Sequence, residues 1–134
     1  FYCVLYLAIM CVTFIPISEA APIQALVKVN NEIISSHDVA TRMNLMKALN
    51  AIPSAADAQQ KFREQVLEAL IDERLIYQEA SKAKIKVQPD ELQKALEYYD
   101  TAMKKTGKPS VEAQLKKHKI SYDVFTKKVE AEII

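Results

Sequence analysis

One glycine, Gly107, serves the whole 134-residue chain, and tryptophan is absent. A phosphate-cradling loop needs several glycines so that backbone N–H groups can approach the anion. With one glycine, nucleotide chemistry of that kind is excluded. Histidine is nearly as scarce: His37 and His118 stand alone, whereas a structural zinc site needs clustered Cys and His. Both cysteines, Cys3 and Cys11, fall within the first 20 residues. The rest has neither a disulfide framework nor a thiol nucleophile, and its fold must stand on packing. An excess of one charge is missing too. Beyond residue 20 lie all 18 Lys and Arg and every acid but Glu19, a net charge of +2 that is evenly spread. That balance argues against nucleic acid and anionic lipid as partners.

What remains of the catalytic inventory is thin. His37 beside Asp38 is an acid–base pairing in principle, but both belong to the expected first turn of a helix, where a solvated start explains them. His118 reads as a helix-end residue. The carboxylates of "DERL", residues 72–75, sit on the charged side of a long helix. The residues predict no catalytic group, no metal and no cofactor.

The chain opens on "FYCVLYLAIMCVTFIPI", an uncharged run of 17 residues followed by Ser18-Glu19-Ala20-Ala21. Small residues before a cut after Ala20 make residues 1–20 an expected secretory signal peptide, incomplete at its start because Met and a basic segment are lacking. The competing reading is an uncleaved membrane anchor, since a span needs about 20 apolar residues. Residues 21–134 are expected to be one exported domain with a modest core.

Within that domain "ALVKVNNEII" alternates as a short hairpin turning at Asn30-Asn31, where Asn tolerates positive φ. Ser36 is the expected N-cap of a first helix to about Leu49, with Val39, Met43 and Met46 on one face and a break at Pro53. From Asp57 to about Lys84 there is no Gly or Pro. Phe62, Val66, Ala69 and Leu70 form one stripe and Leu67, Ile71 and Leu75 a second, which predicts a central helix packed on several sides. Pro89, Asp90 and Glu91 open a third helix carrying Leu92, Leu96, Tyr99 and Met103, and Gly107 ends it. A short helix follows Ser110, with Val111 and Leu115 inward. Ser121 caps the last, with Tyr122, Phe125, Val129 and Ile133 in step. The fold class is therefore mostly α, a short N-terminal β-hairpin followed by about five helices. The uncapped "VEAEII" predicts a domain truncated at its C-terminal end, with an apolar face left for a later helix.

Three stretches carry a family resemblance. "VNNEIISSHDV", residues 29–39, looks like the opening of the N-terminal domain of SurA-type periplasmic chaperones. "LIDERLIYQEASKAKIKVQPDEL", residues 70–92, is similar to that family's central helix and connector, and "HKISYDVFTKKVEAEII", residues 118–134, resembles its closing segment. The order is the expected one across residues 25–134. Three departures stand out: Lys84 and His118-Lys119 replace glycines at helix ends, and Gln88 replaces a Ser or Thr cap.

The resemblance implies a SurA N-terminal-domain-like module, akin to the trigger-factor C-domain. It would be an ATP-independent periplasmic chaperone that binds unfolded outer-membrane proteins or other exported polypeptides. It would belong to a longer parvulin-type peptidyl-prolyl cis-trans isomerase whose catalytic domain is not in this sequence. Binding of unfolded chains calls for adaptable apolar surface, and the candidate client contacts are Met43, Met46, Tyr98, Tyr99 and Met103. Ordinary core is the rival explanation for Tyr99 and Met103, while Tyr98 lies off the stripe. Two alternatives stay open: a membrane-tethered foldase of the PpiD type, or a helical scaffold that docks a catalytic domain without binding clients.

Overall fold

The computed structural model describes residues 22–49 and 55–134; the expected signal segment and the expected break at Pro53 lie outside them. Strands β1 (Ala25–Val29) and β2 (Glu32–Ser35) precede α1 (Ser36–Ala48), α2 (Ala56–Ala83), α3 (Pro89–Lys105), α4 (Val111–Lys117) and α5 (Tyr122–Ile133). This is the mostly helical, hairpin-first architecture that the sequence predicts.

The strands pair antiparallel with Val29 opposite Glu32 and Val27 opposite Ile34, and the register slips between Ala25 and Val27. Only Asn30 of the two turn asparagines takes positive φ (54°). The chain then enters α1 directly, one residue earlier than expected. The N-cap is Ser35, not Ser36: its Oγ accepts from the Asp38 N–H at 3.2 Å, and Asp38 Oδ2 accepts from the Ser35 N–H at 2.7 Å. This reciprocal pair satisfies two N–H groups. Ser36 is used differently, its Oγ accepting from the Gln24 N–H at 3.0 Å to hold the segment before β1. The Asp38 carboxyl sits below its ordinary pKa of 3.8: burial raises it, but the hydrogen bonds from Ser35 outweigh burial.

Apolar side chains collect in two clusters. One joins the hairpin to α1 and α2 through Val29, Ile34, Val39, Val66 and Leu70. The other joins α1 to α3, α4 and α5 through Leu45, Ala48, Met103, Val111, Leu115, Phe125 and Val129. Helix α1 is thus the element shared by both. The long helix α2 was expected to be central and buried over much of its circumference. It touches the hairpin, α1 and α5, with Val66, Leu70 and Ala80 buried and Phe62 partly buried, but Ala69, Leu75 and Ile76 are exposed. Of its second stripe, Leu67 and Ile71 pack partly buried against the first cluster, and only Leu75 is left exposed.

Between the two clusters Arg42 reaches from α1 to Glu73 on α2. Its Nη2 donates to Glu73 Oε2 at 2.6 Å while Nη1 donates to Oε1, a two-pronged pairing. The side chains are only 9% and 19% exposed, so the charges depend on one another.

Three helices end alike. The N–H groups of Ile85, Lys108 and Ile120 return to the carbonyls of Ala80, Met103 and Leu115 at 2.8, 3.1 and 2.9 Å, and the residue before each takes positive φ. Those residues are Lys84 (56°), Gly107 (70°) and Lys119 (55°). The geometry favours glycine, so two of the three ends hold an unsuitable residue, at the places where the family resemblance expects glycine.

Two predictions follow from these features. Lys84→Gly and Lys119→Gly should each stabilise the chain by about 1 kcal/mol in urea unfolding, because a side chain at positive φ costs about that much. Glu73→Ala should destabilise by about 3 kcal/mol by stranding the Arg42 charge, whereas the pair Arg42→Met with Glu73→Leu should cost far less.

Candidate functional site

A groove of about 740 Å³ runs between α3 and α4 and reaches the start of α5. Its floor is apolar: Leu96 from α3, Val111 and Leu115 from α4, and Ile120 and Tyr122 at the entry to α5. The walls carry Gln93, Glu97, Asp100, Glu112 and Lys116. Local sequence explains the opening. The glycine-ended turn at Gly107 swings the chain back, and Ser110 Oγ accepts from the Ala113 N–H at 3.3 Å to start α4. Asp100 ties the walls together, its Oδ1 accepting from the Val111 N–H at 3.0 Å and its Oδ2 pairing with Lys104 at 2.6 Å. The bond to Lys104 and then that to Val111 hold the Asp100 carboxyl below its ordinary range. The Tyr122 ring, 45% exposed, leans edge-on against the buried Phe125 at 5.7 Å between centroids. Burial, and then the carboxylates of Asp100 and Glu112, push its hydroxyl pKa up.

The five residues singled out in the sequence do not form one surface. Tyr98 is 73% exposed, with its ring edge-on to Tyr99 at 6.3 Å. Met103 is 7% exposed and belongs to the second cluster. Tyr99 is half-buried against the same cluster, edge-on to Phe125 at 5.4 Å. Met43 is partly buried against the first cluster and Met46 is partly buried on α1.

Tyr99 also has polar partners on α5. Its hydroxyl donates to Glu132 Oε2 at 2.7 Å and accepts from Lys128 Nζ at 3.0 Å, and Lys128 pairs in turn with Glu132. The ammonium lies 5.1 Å from the Tyr99 ring centre, within range of its π face. Burial disfavours the Lys128 charge, but the bonds from Glu132 and Tyr99 outweigh it and hold the pKa above its ordinary value. Burial raises the Tyr99 hydroxyl. The arrangement seals the α3–α5 seam.

Neither histidine gathers catalytic company. His37 borders a polar cleft of about 280 Å³ with Arg42, Glu73, Arg74, Tyr77 and Lys127, but Asp38 is engaged by Ser35. Tyr77 donates to the Lys127 carbonyl at 2.6 Å, and burial followed by Glu130 pushes its pKa up to about 12. Among the described residues no three His, Cys, Asp or Glu side chains gather as a metal site.

The sequence pattern turns Leu96, Val111, Leu115 and Tyr122 inward but does not show that they share a groove. The signal was faint: Gln93, Leu96, Glu97 and Asp100 lie on one helical face, yet the facing wall comes from another helix. Further apolar side chains stand exposed elsewhere, among them Leu26 and Ile33 on the hairpin and Ile85 after α2.

Among the described residues no helix is long and apolar enough to cross a membrane. No curated protein and no solved structure matches the chain. Residues 2–134 match the sequence profile of the SurA-like N-terminal domain. With that match across the chain, a helical fold opened by a hairpin and an apolar groove between two helices, the protein belongs to the SurA-like N-terminal domain family and is a chaperone-type module.

Proposed function

We propose that this chain is the chaperone module of a periplasmic foldase, holding unfolded outer-membrane proteins and other exported polypeptides without ATP. In this reading residues 1–20 are a cleaved export signal and residues 21–134 the exported module. The parent protein is a longer parvulin-type peptidyl-prolyl isomerase whose catalysis resides elsewhere. The observation that carries the proposal is the groove between α3 and α4, apolar at its floor and polar at its rim.

The physical case is one of weak, distributed contacts. An open apolar groove takes one or two client side chains, and exposed Tyr98, Leu26, Ile33 and Ile85 supply further small patches. Each contact is feeble because ordering a flexible client opposes it. Several acting on one chain hold it by effective concentration while each can still let go. Tyr98, and separately the partly exposed Met43, Met46 and Tyr99, are proposed as further small contacts of this kind rather than as one surface. Met103 lies in the core cluster that backs Tyr99.

The test is light scattering from a denatured outer-membrane β-barrel protein diluted into buffer with and without the chain, after size exclusion has shown the chain to be folded. Aggregation should fall as the chain is added, and ATP should make no difference. Unchanged scattering would overturn the proposal and favour a docking scaffold that binds no client. Sequencing the native protein should place its N-terminus at Ala21; retention of the leader would instead make it a tethered foldase.

A further inference from the structure

The groove between α3 and α4 is not neutral. Its charged lining residues are Glu97, Asp100, Glu112 and Lys116; with Lys104 paired to Asp100, three acids meet two bases, on a chain whose formal net charge is +1. The acid excess is therefore local and runs against the sign of the whole molecule. Glu97 accepts from the neutral Gln93 side chain at 2.9 Å and has no cationic partner among the described residues. Asp100 and Glu112 do have partners, Lys104 at 2.6 Å and Lys116 at 2.8 Å, but the pairs lie at i,i+4 on exposed helix faces. Pairs of that kind contribute little and are screened by salt, so an arriving cation can compete for the same carboxylates.

Tyr122 adds a second observation. It lines the same groove and is 45% exposed, and burial, followed by the carboxylates of Asp100 and Glu112, pushes its hydroxyl pKa up. Its half-exposed ring offers a π face, which attracts ammonium and guanidinium groups. An apolar floor that includes the Tyr122 ring, with a carboxylate rim, matches one kind of side-chain pair: a large apolar residue with a basic neighbour.

We propose that the α3–α4 groove selects polypeptide segments in which a large apolar side chain is flanked by Lys or Arg. The apolar side chain sits over Leu96, Leu115 and Ile120, and the cationic head lies between Glu97 and Glu112 beside Tyr122. The proposal rests on the reading of the chain as a binder of unfolded polypeptides and names the class of segment this groove takes. Charge complementarity of this kind sets partner choice more than raw affinity. Client segments flanked by acids are disfavoured in this groove.

The experiment compares short fluorescent peptides that share a Phe-Leu core and differ only in Lys or Glu flanks, titrated with the full chain and with the double variant Glu97→Lys, Glu112→Lys. Both substituted residues are exposed, and circular dichroism verifies that the variant folds. The Lys-flanked peptide should bind about tenfold more tightly at low salt, with the margin shrinking as salt rises. The double variant should reverse the preference. Equal binding of the two peptides, or a preference that survives charge reversal, would overturn the proposal. So would a dimer of the free chain that the double variant dissociates, since the groove would then belong to a second copy. Light scattering with both proteins separates the two readings. Suppressed aggregation without charge preference leaves the chaperone reading standing and removes this one, and failure to bind either peptide or any client removes both.

Discussion

The pairing of Arg42 with Glu73 is the constraint on which the rest of the architecture turns. Helix α1 contributes Val39 to one apolar cluster and Leu45 and Ala48 to the other, and Arg42 lies between them. A charge at that place is tolerable only because Glu73 meets it with two nearly buried hydrogen bonds. The pair fixes the rotation of α1 against α2. That rotation decides which α1 residues face the hairpin and which face α3, α4 and α5. An apolar pair would lack these two directed hydrogen bonds between α1 and α2. A short helix shared by two small cores needs such a directional contact, because hydrophobic burial alone has no direction.

From that junction the two halves take on different character. The hairpin side is small, rests on α2 and leaves Leu26 and Ile33 exposed. The other side buries more of its apolar residues and is locked at its seam by Tyr99, Lys128 and Glu132. Its α3–α4 edge remains open because the turn after Gly107 brings α4 back at a distance that Asp100 spans with one hydrogen bond to Val111. The groove is a by-product of how the chain reverses. Its floor is made of residues that any helix pair would turn inward, and its chemistry comes from the charged positions beside them. A chaperone-type module can thus be built from ordinary helical packing in which one seam stays open.

The helix ends show where this chain departs from an ideal design. Lys84 and Lys119 occupy the left-handed region that Gly107 occupies without strain. The returning hydrogen bonds of Ile85 and Ile120 hold those turns despite the unsuitable residues. The last turns themselves already carry basic residues, Lys82 in α2 and Lys116 and Lys117 in α4, where exposed carbonyls favour positive charge.

Much of this protein is written locally in its sequence. The hairpin, the glycine-free run, Pro89 and Gly107 at their helix boundaries, and the caps at Ser110 and Ser121 all stand where residue chemistry and spacing place them. Capping, φ preference and apolar periodicity act within a few residues. The cap at Ser35 rather than Ser36 marks the resolution of that reading, since either hydroxyl can cap and the pairing of Gln24 with Ser36 decides the matter. What the sequence left open is everything that needs two distant elements to meet. Leu75 joins a perfectly regular stripe, yet stands exposed because no helix arrives beside it. Arg42 is buried only because Glu73, 31 positions away, comes to face it. The groove between Leu96 and Leu115, with its carboxylate rim, exists only once α4 folds back beside α3. Local free energies chose the elements; the directional contacts between them, invisible to any short window of sequence, decided which apolar surface was buried and which was left open.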